Sequence, residues 1–209
     1  MLVHQVRKLA LPLHRRVRQQ KVELFFQNMR PTSWESLLDV GGASGMDGEF
    51  GRLYDFFANI TTLNIEPVAA RGVKKFVLGD ARHMPFPDHS FDWVFSNAVI
   101  EHVGDRLEQQ KMATEIRRIA RKGYFVTTPN RAFPVDPHSY LPFYHYFSCE
   151  ARERLASVVL RRYVEFEPYW ILSRKTFRQL FPGAIFTSAG AHSCLIAWER
   201  VFPAEVVAS

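Results

Sequence analysis

No stretch of this chain is apolar for long enough to cross a bilayer, and its first residues carry no apolar run of the signal-peptide kind. Cysteine is nearly missing. Cys149 and Cys194 are the only two, they lack metal-ligand spacing, and both sit among apolar neighbours. A disulfide scaffold and a cysteine-held metal are thereby excluded, and the expectation is a pair of reduced thiols in a soluble cytoplasmic protein. Internal repeats and low-complexity segments are lacking too. In 209 residues, 47% of them hydrophobic, there is enough apolar material for one substantial core, so a single domain over 1–209 is expected.

Acids are scarce in one place. Residues 1–30 hold seven bases (Arg7, Lys8, Arg15, Arg16, Arg18, Lys21 and Arg30) against Glu23 alone, a balance of +6. The whole chain is also +6, so the remainder is neutral, with twenty bases against twenty acids. The basic character is therefore an amino-terminal feature and not a general nucleic-acid footprint. Val22, Phe25, Phe26 and Met29 recur at helical spacing, which predicts that the second half of this basic helical segment packs on the body. Pro31 ends it. The first half, residues 1–20, either touches an anionic surface such as a membrane or presents a solvated helix face.

What is present begins at residue 37. Leu-Leu-Asp-Val-Gly-Gly-Ala-Ser-Gly, residues 37–45, is an apolar strand running into a glycine-rich turn with an acid two places before the first glycine. Such turns let a ligand approach the backbone closely. Strands are then predicted at 36–40, 60–65, 76–78, 92–96 and 124–127. Helices lie between them: one carries Phe50, Leu53, Tyr54 and Phe57 on one face. Another opens with an Asp105/Glu108 capping pair, buries Met112, Ile116 and Ile119, and is stopped by Gly123. Strand–helix alternation implies a parallel sheet with helices on both faces and a ligand crevice beyond the carboxyl ends of the strands. Asp39, Glu66, Asp80 and Asn97 all fall at such ends. A carboxylate after the second strand suits a ribose diol, and one after the third suits an adenine amino group.

A nicotinamide dinucleotide is a poor fit to this set. Its Gly-x-Gly-x-x-Gly fingerprint is missing, since Ala43 interrupts the spacing, and an acid beside the turn repels a pyrophosphate. A cationic sulfonium with its ammonium group tolerates that acid.

Asp-Val-Gly-Gly-Ala-Ser-Gly, Asn-Ile-Glu-Pro, Gly-Asp-Ala-Arg-His-Met-Pro-Phe-Pro and Ile-Glu-His-Val follow one another over about residues 35–130. In these blocks and their order the chain resembles the class I S-adenosylmethionine-dependent methyltransferases, the methyltransferase type 11 group above all. The resemblance implies a Rossmann-like, mostly parallel α/β sheet of seven strands ending in an antiparallel hairpin, for which 184–188 and 193–198 are the last two strands. It implies S-adenosylmethionine as cofactor. Asp39, Gly41, Gly42 and Gly45 would line its methionine end, Glu66 its ribose, and Asp80, Ala81 and Met84 its adenine, with Asn97 beside the sulfonium. Ala43 stands where the family usually has glycine.

The activity implied is in-line methyl transfer to oxygen or carbon of a small-molecule acceptor, anionic or lipid-linked in kind. Nucleic acid is disfavoured, because Ser96-Asn97-Ala98-Val99 occupies the place of the Asn/Asp-Pro-Pro-Tyr/Phe motif of base-amino methyltransferases. A non-catalytic S-adenosylmethionine-binding regulator and a membrane-surface adaptor are the alternatives. Glu101 and His102 either face the acceptor or brace the helix start. Residues 129–172 depart from the minimal fold, and Pro134, Pro137 and Pro142 forbid a continuous helix there. Their aromatic density suits either an acceptor lid or a segment packed on itself. His102, His138 and His145 are the candidate proton acceptors. Asp136 with His138 lacks a further acid pair, so no metal is expected. Helices are predicted at 149–162, with Leu155, Val158 and Val159 inward, and after the cap Ser173, with Phe177, Leu180 and Phe181 inward.

Overall fold

The computed structural model describes residues 2–43, 48, 50–67, 72–159 and 168–201, with the backbone alone at 2–11 and 159. Strand β1 (Ser36–Val40) has the predicted bounds. β2 (Asn59–Asn64), β3 (Lys75–Leu78), β4 (Phe91–Asn97) and β5 (Ala120–Pro129) fall where the apolar runs place them. β6 (Ile185–Ala189) and β7 (Cys194–Arg200) form the closing hairpin. The sheet order is β3-β2-β1-β4-β5-β7-β6, and β7 alone runs antiparallel to its neighbours. The order reverses between β1 and β4, so the crevice of a doubly wound sheet opens outside their carboxyl ends.

Successive strand residues point to opposite faces, and each face has its own core. Leu38, Val40 and Val94 bury one face beneath helix α3 (Arg106–Ile119) and helix α5 (Arg174–Leu180), which contribute Met112, Ile116, Phe177 and Leu180. On the other face Leu37, Phe95, Phe125 and Ile196 meet Phe25 and Met29 of helix α1 (Leu2–Met29) and Leu53 of helix α2 (Gly51–Phe56). Phe25 is the hub there, with ring contacts to Phe57, Phe95 and Phe125 at 6.3, 5.6 and 5.7 Å. The predicted amino-terminal stripe thus packs on the sheet. Arg30 takes a left-handed conformation (φ 48°) and Pro31 follows, a combination that cannot continue the helix.

The predicted N-caps form, but of the Asp105/Glu108 pair only Asp105 caps, because the Glu108 carboxylate binds Arg82 and Lys111. Asp105 accepts from the Leu107 and Glu108 amides, and Ser173 accepts from the Thr176 amide. Two element predictions need correction. α3 ends at Ile119, four residues before Gly123, because Ala120 already pairs with Phe91 as the start of β5. Arg121 and Lys122 are therefore strand residues bound to Asp92 and Glu35. The predicted 149–162 helix is helix α4 (Cys149–Arg154) followed by a π-helical turn at Leu155–Val159; residues 160–162 lie outside the described set. A π turn takes an extra residue, so a stripe drawn at 3.6 residues loses register. Arg152 and Ala156 are buried instead, Leu155 is half-buried and Val158 is exposed; the Val159 side chain lies outside the description.

Cys149 and Cys194 are free thiols. Among the described residues no helix is long and apolar enough to cross a membrane.

Candidate active site

A cavity opens at the carboxyl ends of β1 and β4, lined among others by Arg18, Asp39, Gly41, Gly42, Tyr54 and Asn97. Its floor is the turn after β1. Gly41 has φ +79°, a conformation that a side chain disfavours, and a Cβ there would strike Val99. A Cβ at Gly42 would strike the Asp39 carboxylate and the Tyr54 hydroxyl. The Gly41 amide donates to the Leu63 carbonyl (2.7 Å), and Asn64 Nδ2 donates to the Gly42 carbonyl (3.1 Å), so the turn is tied to β2. Gly45 lies outside the described residues. Ala43 also lines the cavity.

Asp39 is buried and accepts from the Tyr54 hydroxyl at 2.5 Å; Tyr54 also meets Thr62 Oγ1 at 3.0 Å. Burial pushes the Asp39 carboxyl up to about 6, against the pull of the Tyr54 bond. Burial, together with the nearby Asp39 charge, raises Tyr54.

Glu66 lies two residues past β2 with an exposed side chain. Asp80, two residues past β3, is engaged differently from an open carboxylate. Arg82 clamps both of its oxygens, with Nε at 2.9 Å from each, and the same guanidinium reaches Glu108 at 2.8 Å. The Arg82 bonds hold Asp80 below the ordinary carboxylate range despite partial burial. A carboxylate has about four acceptor sites, so a further donor is accommodated beside the arginine. Ala81 and Met84 are buried behind it, in the core under α3. At the end of β4, Asn97 Oδ1 accepts from Lys21 Nζ (2.9 Å) and Thr127 Oγ1 (2.8 Å).

Lys21, like Arg18, was not among the predicted site residues. Both come from α1. The signal was in the sequence: 18, 21, 22, 25 and 29 share one helix face, so packing Val22, Phe25 and Met29 on the sheet brings the two cations to the crevice.

Glu101 and His102 follow β4 on a turn pinned by two backbone bonds, His102 amide to Val99 carbonyl (2.8 Å) and Trp170 amide to Glu101 carbonyl (2.7 Å). Glu101 is fully buried. Its Oε2 accepts from Thr128 Oγ1 at 3.0 Å, and burial raises its carboxyl to about 7, with Thr128 and the charge of Lys21 acting the other way. The His102 ring meets the His138 ring edge-on at 4.8 Å. Burial, and the neighbouring His102, lower His138 to about 4.

Residues 129–172 thus bring His138 to His102. The segment turns through a Val135–Pro142 bridge and a 3-10 turn at Tyr144–Tyr146 before α4. Its hub is buried Asp136, which accepts from Tyr169 (2.6 Å), from the Ser139 hydroxyl (2.8 Å) and from the His138 amide (3.0 Å). Arg152 stacks 4.0 Å from the centre of the Tyr169 ring. His145 takes another position: Nε2 lies 3.0 Å from the Arg131 carbonyl and Nδ1 lies 3.6 Å from Asp136. It braces the segment, away from the His102–His138 pair.

The residues present fit an adenosyl sulfonium ligand. Two glycines whose Cβ would fill the floor, an acid beside that floor and an exposed carboxylate past β2 match its ammonium, methionine and ribose parts.

Residues 38–127 match the family model described as a methyltransferase domain. Ajmaline N-methyltransferase of Rauvolfia serpentina is 34% identical over 99 residues, 42% of this chain and 33% of that protein. Demethylmenaquinone methyltransferase of Geobacillus stearothermophilus is 34% identical over 80 residues, 36% and 33% of the two chains. The chain spans about a third of the length of these curated relatives. Among solved structures, a SAM-dependent methyltransferase from Aquifex aeolicus matches with a TM-score of 0.57 at 13% identity, covering 96% of this chain and 98% of that one. Magnesium protoporphyrin IX methyltransferase from Synechocystis PCC 6803, solved with bound S-adenosylhomocysteine, also matches at 0.57 and 13%, over 92% and 85%. Identities this low speak for the fold alone. Residues 38–127 thus match a methyltransferase domain, and the seven-stranded sheet shares its fold with solved S-adenosylmethionine-dependent methyltransferases.

Proposed function

We propose that this protein transfers a methyl group from S-adenosylmethionine to oxygen or carbon of a small-molecule acceptor. The observation that carries the reading is that two side-chain groups meet at the end of β4. One is the cavity at Asp39, Gly41, Gly42 and Asn97, read as the cofactor's; the other is the neighbouring cluster of buried Glu101 with His102 and His138, read as the acceptor's. Thr127 and Thr128 link them, bonding Asn97 and Glu101 respectively. The cofactor when bound supplies an activated methyl group, and the protein's task is alignment and exclusion of water.

In this reading Asp39 and the Gly41–Gly42 turn, continued by Gly45, seat the methionine end. Glu66 accepts from the ribose hydroxyls, Asp80 and the Ala81 backbone read the adenine with Met84 behind, and Asn97 lies beside the sulfonium, oriented by Lys21 and Thr127. His102 and His138 border the acceptor and govern its proton, while His145 holds the covering segment. Two curated relatives named for small acceptors, ajmaline and demethylmenaquinone, support the acceptor class. Arg18 and Lys21 at the cavity favour an anionic or lipid-linked acceptor, and basic residues 1–20 supply a peripheral membrane contact. The free thiols fit a reducing, cytoplasmic setting.

Calorimetric titration with S-adenosylmethionine and S-adenosylhomocysteine tests the reading. Micromolar binding is expected, weakened about tenfold or more by Glu66→Ala and by Asp80→Ala, since a lost charge-assisted bond is worth roughly 1.5–3 kcal/mol. A folded wild type that binds neither compound overturns it.

A further inference from the structure

The geometry points to a divalent metal site formed by Glu101, His102 and His138, placed to bind the oxygen of the acceptor. The inference rests on the methyl-transfer reading only for the acceptor; the metal site stands on its own residues.

One ligand atom from each of the three side chains lies within 4.8 Å of those of the other two. Three donors around one tetrahedral ion at bond lengths of about 2.0–2.2 Å lie about 3.3–3.6 Å apart, so side-chain movements of about 1 Å close the set. Two of these side chains also carry a buried atom with no partner. Glu101 Oε1 and His138 Nε2 are buried, and neither has a hydrogen-bond partner. A buried carboxylate oxygen without a donor costs free energy that native folds rarely leave uncompensated, and an ion is one of the standard compensations.

The supporting shell is built as a metal site requires. Glu101 Oε2 is held by Thr128, the Glu101–His102 backbone by Val99 and Trp170, and the His138 ring by Tyr169 at 4.2 Å, itself anchored on Asp136. The Thr128 bond and the Tyr169 ring contact leave Glu101 Oε1 and His138 Nε2 without partners. The cluster is closed on the Glu101 side and exposed at His102. Three protein donors with an accessible side leave coordination positions for water or substrate, the pattern of catalytic and not structural sites. Two imidazoles and one carboxylate suit Zn²⁺, Co²⁺, Fe²⁺ or Mn²⁺ better than Ca²⁺ or Mg²⁺, which prefer oxygen-only shells.

The site narrows the acceptor to a hydroxyl compound with a second oxygen close enough to chelate, such as a catechol or a hydroxy-carbonyl. Metal coordination acidifies the hydroxyl, which releases its proton to solvent. The resulting oxyanion attacks the sulfonium methyl group; the O–C bond forms as the C–S bond breaks, its electron pair staying on sulfur. The products are a methyl ether and S-adenosylhomocysteine. His102 and His138 then act as ligands, and the metal, by acidifying the hydroxyl, removes the need for a general base.

The test is titration of chelator-treated full-length protein with Zn²⁺ by calorimetry and with Co²⁺ by visible absorption, followed by addition of catechol to the Co²⁺ complex. One ion per chain is expected, together with cobalt bands of low-symmetry nitrogen–oxygen ligation that shift when catechol is added. Glu101→Gln and His138→Ala should each weaken binding at least about tenfold. His192→Ala, at an exposed histidine of the β6–β7 turn, should not. Thermal melting of each variant reports folding, and zinc should raise the Tm of the wild type and of His192→Ala but not of Glu101→Gln or His138→Ala. No stoichiometric binding by folded wild type, or binding that His138→Ala leaves intact, overturns the site. Cobalt bands that ignore catechol overturn the chelating acceptor. Titration of the same samples with S-adenosylhomocysteine separates this inference from the methyl-transfer reading. Cofactor binding without metal binding removes the metal site alone, and the reverse removes the transferase reading alone.

Discussion

Asp39 is asked to do two things that pull in opposite directions. Its burial disfavours charge, so without cofactor the carboxyl stays protonated up to about pH 6. A bound sulfonium and ammonium favour the carboxylate. Cofactor affinity should therefore fall as pH drops through about 6, with about one proton linked to binding, and Asp39→Asn should bind more weakly with that pH step gone. Calorimetry across pH 5–8 checks both. The same shift has a stability consequence of known sign. The unfolded chain ionises near 3.8 and the fold near 6, so this group's contribution is full below 3.8 and is lost as pH rises to about 6. The loss at neutral pH is about 3 kcal/mol, an order-of-magnitude figure. Asp39→Asn should accordingly raise the melting temperature of cofactor-free protein at pH 7 while impairing binding, a trade of function against stability expected of site residues. A substituted protein that melts lower than the wild type and keeps the same pH dependence would contradict the account. Gly42→Ala makes a complementary case: its Cβ displaces both Asp39 and Tyr54. It should cost about 1–3 kcal/mol by overpacking, read by chemical denaturation, and abolish cofactor binding.

Among the elements, α1 does more than cover the sheet. Phe25 is buried at the hub of its aromatic face, so Phe25→Ala should cost about 3–5 kcal/mol in denaturant unfolding. Lys21→Met keeps the aliphatic packing but leaves Asn97 with Thr127 alone, and should weaken cofactor binding with a Tm near that of the wild type. Here the limits of sequence reading become physical. β1, the Asp105 and Ser173 caps and the stripe of α1 were legible because each is decided within a few residues by alternation, a capping oxygen or helical spacing. The end of α3 was not, because sheet pairing with Phe91 outcompetes the local glycine signal. The 149–162 stripe failed where a π turn changes the period. Asp80 and Asn97 were placed correctly at strand ends, but their engagement by Arg82 and Lys21 depends on neighbours. Arg82 is only two residues from Asp80, yet sequence proximity does not say which way its side chain turns; Lys21 comes from another element. His102 and His138 met because Asp136 and Tyr169 fold a distant segment back over the sheet, which no spacing rule reads.

At the scale of the whole molecule the sheet divides labour. On the proposed function, the β1–β4 crevice carries the cofactor residues within 38–127, the span that matches the family model, while the segment proposed to cover the acceptor comes from outside it. That side hangs on one buried carboxylate. Asp136 accepts from Tyr169 and Ser139 with His145 Nδ1 3.6 Å away, and Arg152 caps the Tyr169 ring and donates to its carbonyl at 2.6 Å. Tyr169→Phe keeps the ring and its stacking on His138 but deprives Asp136 of a donor. Removing the donor of a buried hydrogen bond to a carboxylate costs about 1–3 kcal/mol or more, because the acceptor is left unsatisfied. If the two sides are energetically separate, that loss should be local. Hydrogen exchange should quicken over residues 131–147 and leave β1, β2 and β4 protected, and S-adenosylhomocysteine should bind with nearly unchanged affinity. Acceptor-dependent turnover should fall, since His138 loses its anchored support. Exchange that quickens through the central strands as well would mean that the covering segment and the cofactor crevice form one cooperative unit, and that acceptor specificity cannot vary without disturbing cofactor binding.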